Sequence, residues 1–468
     1  MSFTIQQALI PVENGYTTAD VQIVGERLVA IAPKLEIIGT VVSGENKLLL
    51  PGFVNAHTHS SEIWQRGALR PFPLELWLAE LYEFPPLQPE QIYLSALVTA
   101  TETLLSGGTS IVDHLVLIPG KEIESITQAI RAYKEIGIRV FMAPLIYDEL
   151  LDAGLPSGNI RVENSARELP TAETLALILE AVNKFHNPQE CVSVLVAPTG
   201  IQLCSDKLFE GCIELSDRYN LCRHSHLLET KAQQLIAQEK YGCSAVEHLK
   251  NIGYLSQRTS LAHCVWLSER DINILAETGA TVVHNPLSNL RLGSGIAPII
   301  KYLKAGVNVS FACDGASSND SQDLLEAIKI GSLLHNVTTF DYRDWISPRQ
   351  AVEMASLGGA KGLNLENEIG SLTVGKKADI VLYDLTNLSL LPRTDPIGLL
   401  VRGRPTNVVD SVWVNGERIV ADGKPTRINI DELRRELWER SQVTGERPIS
   451  NAVRELEAHY RRVMGLNV

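Results

Sequence analysis

The sequence predicts an α/β protein: a distorted (β/α)8 TIM barrel with a small β-sandwich formed by both chain ends. Three observations carry this. Between Pro51 and residue 365, eight short β-rich apolar runs alternate with longer amphipathic stretches, as eight strand–helix units require. Residues 1–50 and 366–425 share a different, turn-rich alternating texture. Finally, no G-x-G-x-x-G follows an early strand, which sets the doubly wound sheet aside.

Taken in order, Val21–Val24, Leu28–Ile31 and Leu48–Leu50 read as strands separated by Gly25-Glu26 and Gly44-Glu45-Asn46 turns. The barrel strands follow as Gly52–His57, Ser110–Asp113, Arg139–Ala143, Val192–Val196, Cys222–His226, Ser260–His263, Thr281–His284 and Val307–Cys313. Helical stretches such as Glu90–Ser106 and Asp271–Thr278 lie between them. Glu368–Leu372, Gly375–Leu382 and Val412–Gly416 read as returning strands and hairpin turns, expected to pack with residues 1–50. Residues 426–468 form a C-terminal helical segment, charged from Asp431 to Arg462, placed at the surface or in an oligomer contact.

The chain has 468 residues, with 42 Lys+Arg against 55 Asp+Glu and a formal charge of −13. That balance argues against a nucleic-acid or anionic-membrane partner, which needs a basic face. The N-terminus lacks a basic segment followed by an apolar one, and no apolar run is long enough to span a bilayer. The seven cysteines (Cys191, Cys204, Cys212, Cys222, Cys243, Cys264 and Cys313) are odd in number and form no C-x-x-C pair. The expectation is a cytoplasmic protein with reduced thiols.

Chemistry gathers at the C-terminal ends of the predicted barrel strands, where this fold places its active sites. In His57-Thr58-His59 alternate residues point the same way, so both imidazoles can face one metal. His226 on strand five would close a three-imidazole cluster, and Glu229, three residues on, can reach a water on the metal or the substrate. His224 points to the same side but deeper, and reads as packing or support. His263 ends strand six, and Asp314 after strand eight supplies the hard oxygen ligand expected of a mononuclear Zn or Fe site. Cys264 and Cys313 alternate to the opposite side. Polar residues at the ends of strands one, five, six and eight are hard to explain as packing, because a barrel interior takes Val, Ile and Leu there.

The segments Pro51-Gly52-Phe53-Val54-Asn55-Ala56-His57-Thr58-His59, His226-Leu227-Leu228-Glu229-Thr230, Ala262-His263-Cys264-Val265, His284-Asn285-Pro286 with Ser288-Asn289, and Asp314-Gly315-Ala316-Ser317-Ser318-Asn319 resemble the amidohydrolase superfamily. The branch they look like holds S-adenosylhomocysteine/methylthioadenosine deaminases and triazine hydrolases, and Gly375-Lys376-Lys377-Ala378-Asp379 resembles its return to the small β domain. The resemblance implies His57, His59, His226 and Asp314 as ligands of one divalent metal per chain, Zn²⁺ foremost with Fe²⁺ and Mn²⁺ compatible. It implies Glu229, His263 and Asp314 as the catalytic groups: Asp314 takes the proton of a metal-bound water whose pKa is lowered to ~7, Glu229 protonates the ring nitrogen, and His263 stabilises the oxyanion. The expected activity is an aminohydrolase acting on a small nitrogen heterocycle. The alternatives are hydrolysis of a cyclic amide or dechlorination of a triazine-like ring by the same site, and a non-catalytic scaffold.

Substrate contacts are expected from Trp266, Asn285, Ser318 and Thr199. Trp64 and Trp77 are further candidates to wall a flat pocket, although the spacing of Leu74, Trp77, Leu78 and Leu81 reads as core packing. Whether His114 points at the site mouth is left open, as is the role of His284. The adenosine-type deaminases carry three substrate-contacting residues whose positions fall here at Pro144, Thr199 and near Pro85, with Glu83 out of register, so a ribose-bearing nucleoside suits this chain less well. The remaining expected partner is a second copy of the chain, as a homodimer or higher homo-oligomer.

Overall fold

The structure, a computed structural model, describes residues 2–150, 155–156, 169–443, 445 and 447–466. It opens with β1 (Ser2–Val12), β2 (Gly15–Val24), β3 (Arg27–Ala32), β4 (Thr40–Ser43) and β5 (Lys47–Pro51). The central region holds β6 (Phe53–Thr58), β7 (Gly108–Asp113), β8 (Arg139–Met142), β9 (Val192–Val194), β10 (Arg223–Leu227), β11 (Thr259–His263), β12 (Thr281–His284) and β13 (Val309–Phe311). The chain returns through β14 (Ile380–Asp384), β15 (Val409–Val414), β16 (Glu417–Ala421) and β17 (Lys424–Pro425).

The two chain ends share one nine-stranded sheet in the order β17-β16-β15-β14-β5-β1-β2-β3, with β4 added on β1. The join is the antiparallel pair β5–β14, with Leu49 opposite Leu382. The run Leu48-Leu49-Leu50 is buried on both faces, and a period of two sorts it. Leu49 packs with Ile5, Val21, Ile380 and Trp413 in the sheet's own core, while Leu48 and Leu50 join the large core shared with the helices. Glu368–Leu372, expected as a strand, instead forms turns. Gly370 holds φ +85° there, and a Cβ on it would meet the Leu357 backbone at 2.9 Å.

All eight central strands run parallel, in two four-stranded sheets, β6-β7-β8-β9 and β10-β11-β12-β13. Between the sheets Val196 bridges Arg223 in parallel, and the Asp314 N–H donates to the His57 carbonyl at 3.0 Å. Successive residues go to opposite faces. Val54, Val112, Phe141, Leu195, Val283 and Ala312 share an inner cluster, whereas Ile111, Val140, Val194, Leu261 and Val282 lie in the core under the helices. Those helices are punctuated as their sequences dictate. Helix Glu269–Thr278 starts at a Ser268/Asp271 capping box and stops at left-handed Gly279. The last helix, Asn451–Val463, buries Val453 and Leu456 with Leu76 and Ala79 of helix Leu74–Leu81, so it braces an element that reaches the site. No helix among the described residues is long and apolar enough to cross a membrane.

Candidate metal and catalytic site

Three imidazoles converge with their Nδ1 atoms already committed. The Nδ1–H of His59 donates to the His114 carbonyl at 2.6 Å, and that of His226 to the Thr199 carbonyl at 2.7 Å. His57 Nδ1 lies 2.7 Å from Nε2 of His224, whose own Nδ1 lies 2.7 Å from the Ser260 hydroxyl. A proton run in one direction satisfies that chain: His57 donates to His224, and His224 donates to Ser260. Every Nε2 is thereby left as a bare lone pair. His59 and His226 bring theirs within 3.2 Å of each other, and that of His57 is buried without a hydrogen-bond partner. Lone pairs crowded together in a buried site call for a cation.

Asp314 supplies the charge. Its Oδ1 lies 3.2 Å from His57 Nε2 and 3.5 Å from His59 Nε2. Burial would raise its pKa, but the His57 contact and the neighbouring imidazoles outweigh that and hold the carboxyl well below the usual range. Burial likewise pushes His57 down to about 4, so the ring stays neutral and able to ligate. The backbone at Asp314 is left-handed, with φ +63°, which costs a non-glycine residue roughly 1 kcal/mol or more. Its carbonyl is clamped by Thr58 Oγ1 at 2.9 Å and Gln322 Nε2 at 2.6 Å. Asn55 ties the same turn to β6, accepting the Cys313 N–H at 3.1 Å.

Glu229 and His263 stand beside this group. Glu229 immediately precedes Thr230, the N-cap of helix Lys231–Tyr241, and its N–H donates to Gln233 Oε1 at 2.8 Å. Ser294 Oγ donates to Glu229 Oε1 at 3.1 Å, leaving Oε2 facing His263 Nε2 at 3.6 Å. Burial, reinforced by the Asp314 charge, pushes the Glu229 carboxyl up to about 7. His263 Nδ1 donates to Asn289 Oδ1 at 2.8 Å, and its Nε2 sits between Glu229 and Asp314, 3.7 Å from Oδ2 of the latter. His263 also has a positive φ, +74°, which turns its ring at the strand end.

A cavity of about 70 Å³ exposes His59, His226, Glu229, His263 and Asp314 together. Of the residues expected to contact substrate, Thr199 and Ser318 line it and Trp266 and Asn285 do not. Trp266 Nε1 donates to the Ser294 carbonyl at 2.8 Å, so it steadies the residue that holds Glu229. Asn285 is fully buried at the N-cap of helix Pro286–Arg291, with neither side-chain polar atom hydrogen-bonded. Trp77, weighed both as a pocket wall and as core, packs with Leu69 and Leu292 and also walls the cavity. Trp64 faces elsewhere, donating to the Gln91 carbonyl. His114 is not at the mouth: it is buried, its ring stacked 4.8 Å from that of His226. His284 pairs with His335, at 3.3 Å between Nε2 atoms. Cys264 and Cys313 lie in the core as expected. The sequence reading missed Ser294, Asn289 and Gln322. Asn289 alone had a signal, its place four residues after Asn285 in a quoted motif.

This is the site of a metal-dependent hydrolase fold, and comparison with known proteins agrees. Residues 48–419 match the amidohydrolase family, and the chain belongs to it, in the branch of the methylthioadenosine/S-adenosylhomocysteine deaminases. It is a hydrolase acting on carbon–nitrogen bonds. It is 32% identical over 409 residues to a 5-methylthioadenosine/S-adenosylhomocysteine deaminase of Caldanaerobacter subterraneus subsp. tengcongensis, covering 86% of this chain and 88% of that one. A 5'-deoxyadenosine deaminase of Methanosarcina barkeri is 33% identical, covering 84% and 85%. Among solved structures, the zinc complex of an atrazine chlorohydrolase from Arthrobacter aurescens TC1 superposes with a TM-score of 0.86 at 24% identity, covering 93% and 99%.

Proposed function

We propose that the protein is a metal-dependent aminohydrolase that replaces the amino group on a ring carbon of a small, nucleoside-like nitrogen heterocycle with oxygen from water. The observation that carries this is the set of three bare Nε2 lone pairs beside the ionised Asp314, with the buried Glu229 3.6 Å from His263 on the cavity side. His57, His59, His226 and Asp314 would hold one divalent ion, Zn²⁺ foremost. Such an ion lowers the pKa of a coordinated water to ~7 and so supplies the nucleophile at neutral pH.

The chain's own groups do the rest. Asp314 accepts the proton of the attacking water. Glu229, neutral below about pH 7, delivers a proton to the ring nitrogen next to the attacked carbon and so makes that carbon more electrophilic. His263, anchored by Asn289 through Nδ1–H, donates from Nε2 as the imidazolium, with a proton on each ring nitrogen, to the oxygen as charge builds there. The proton taken by Asp314 then passes to the leaving amine, the carbon–nitrogen bond breaks and ammonia departs, while the hydroxyl formed on the carbon gives its proton back to Glu229 and leaves a ring carbonyl. Thr199 and Ser318 are proposed as substrate contacts. The names of the deaminase relatives support an amino-substituted, nucleoside-like ring, and the fold shared with the chlorohydrolase accommodates another leaving group on the same machinery. We further propose that the two parallel sheets close as one distorted eight-stranded barrel. The Val196–Arg223 bridge and the Asp314–His57 hydrogen bond at their seams support this, with residues 51–365 as the catalytic unit.

Metal analysis together with ammonia release over amino-purines, pterins, pyrimidines and triazines tests the reading. About one ion per chain and ammonia from one ring class is the expected result. Metal without ammonia, but with chloride or alcohol released from a triazine, would replace the aminohydrolase assignment with displacement of another leaving group.

A further inference from the structure

We infer that the ring taken by this site carries a second amino group besides the one it loses, and that Glu62 and Gln202 read it; the inference rests on the heterocycle reading above. Both residues line the catalytic cavity together with Glu229 and His263. They follow β6 and β9, the two outer strands of one sheet, and so reach the cavity from its two sides. Glu62 lies in the short 3₁₀ turn Ser60–Gln65, where its N–H donates to the His59 carbonyl at 3.1 Å. Its side chain occupies the space beside Gly315, where a Cβ would overlap Oε2. Ser317 donates to that same Oε2 from its N–H at 3.3 Å and its hydroxyl at 2.7 Å, and among the described residues Oε1 takes no hydrogen bond. Gln202 lies in the turn that the Leu203 N–H closes on the Gly200 carbonyl at 3.2 Å. Lys240 Nζ holds that turn through the carbonyls of Ile201 and Cys204, at 3.1 and 3.2 Å. Gln202 is 9% exposed, and its amide Oε1 is buried without a hydrogen-bond partner.

A buried acceptor left without a donor is costly, so these two oxygens mark where N–H groups of a bound ring fall. The reacting edge of the ring does not supply them. In the reading above its nitrogen meets Glu229, and its amino group leaves with the proton from Asp314. An amino group on another ring carbon offers two further N–H bonds. The ring nitrogen beside it accepts from Gln202 Nε2, the two-point pairing that a side-chain amide makes with an amino-substituted ring edge. Trp77, whose indole N–H is buried without a partner on the same cavity, adds a donor for another ring nitrogen. The groups around the ring thus match a heterocycle that carries amino groups on more than one carbon.

The test is titration calorimetry on the zinc-loaded protein with two ligand pairs that keep the reacting amino group and exchange the second for methoxy, which accepts hydrogen bonds but donates none. One pair is 2,6-diaminopurine methylated at its imidazole nitrogen, against the same ring with methoxy in place of the 2-amino group. The other is melamine against its dimethoxy analogue. The amino ligand of at least one ring is expected to bind about tenfold more tightly than its methoxy partner, the equivalent of about 1.4 kcal/mol. In Glu62→Gln the amide oxygen takes the two Ser317 donors and the NH2 group replaces Oε1. The methoxy ligand is therefore expected to gain affinity and the ratio to fall by about tenfold, a gain that misfolding cannot imitate. Gln202→Leu, which removes the second acceptor, is expected to lower the ratio as well. Equal affinities, a preference for methoxy, no binding by any of the four, or an unchanged ratio in either variant would each overturn the inference. Ammonia release from the native protein is measured on the same ligands. The amino preference without ammonia would overturn the aminohydrolase reading and leave the ring recognition standing, whereas ammonia with equal affinities would do the reverse.

Discussion

Nε2 of His224 lies 2.7 Å from Nδ1 of His57, and that contact decides which nitrogen of His57 is free to ligate. With the proton of His57 held on Nδ1, the lone pair on Nε2 faces Asp314. Residues behind ligating histidines fix ring tautomer and orientation in this way, and their loss costs roughly 10–100-fold in metal affinity. His224→Ala is therefore expected to weaken zinc binding by about that factor in competition with a chelator of known affinity. Unchanged affinity would show that the chain through Ser260 is packing alone.

Removing a ligand should do more. A buried ion that binds only the folded state adds about 4 kcal/mol when its free concentration is a thousand times the dissociation constant. Chelation of the native protein is expected to lower its melting temperature, while His226→Ala, lacking a ligand, should melt at the same temperature with or without chelator.

Glu229→Gln is expected to retain the metal and lose about 10²–10⁴-fold in turnover, because the amide cannot hand a proton to the ring. In the native protein the acid is protonated below about pH 7 and ionised above it, so the rate should fall as pH rises through that value. A profile flat from pH 6 to 9 would remove Glu229 from the general-acid role.

The same shift bears on stability. The Glu229 carboxyl is raised from near 4.5 to about 7 by burial, so its favourable contribution is complete below pH 4.5 and lost as pH climbs to 7. In the metal-free protein Glu229→Gln should match the native chain at pH 4 and exceed it by up to about 3 kcal/mol at pH 8, measured by urea unfolding.

Arg139 on β8 and Asp379 beside β14 form a bidentate pair, 2.9 and 3.0 Å long, with side chains 4% and 1% exposed. It pins the end-to-end sheet to the central strands, and Asp379 also accepts the Asn415 N–H at 2.8 Å. Breaking a buried pair strands a charge, so Asp379→Ala is expected to cost about 3–5 kcal/mol. Adding Arg139→Met should recover part of that loss. Equal losses in the single and double variants would contradict the argument.

Much of the site is written in adjacent residues. His57-Thr58-His59, His226 with Glu229, His263, and Asp314-Gly315 all sit at strand ends that hydrophobic periodicity locates to within about two residues, because the alternation of buried faces is a local property of the chain. The β5–β14 join was likewise foreshadowed by two apolar, turn-rich segments that lacked partners of their own.

The partners that tune the site were not legible. Ser294 holding Glu229, Asn289 holding His263, and Gln322 with Asn55 clamping the Asp314 turn are separated from what they hold by 8 to 258 residues, and serine, asparagine and glutamine are unremarkable at any surface. Strand parity by itself does not fix one further point. The β6–β7 register slips between Asn55 and Thr58, so where His57 and His59 point depends on an irregularity that pattern cannot register. The chain's own order of residues thus settles which groups are present and at which strand ends. Their protonation and the bare nitrogen of each histidine follow from burial and from contacts between distant segments, because desolvation and hydrogen bonding act through space and carry no trace in local order.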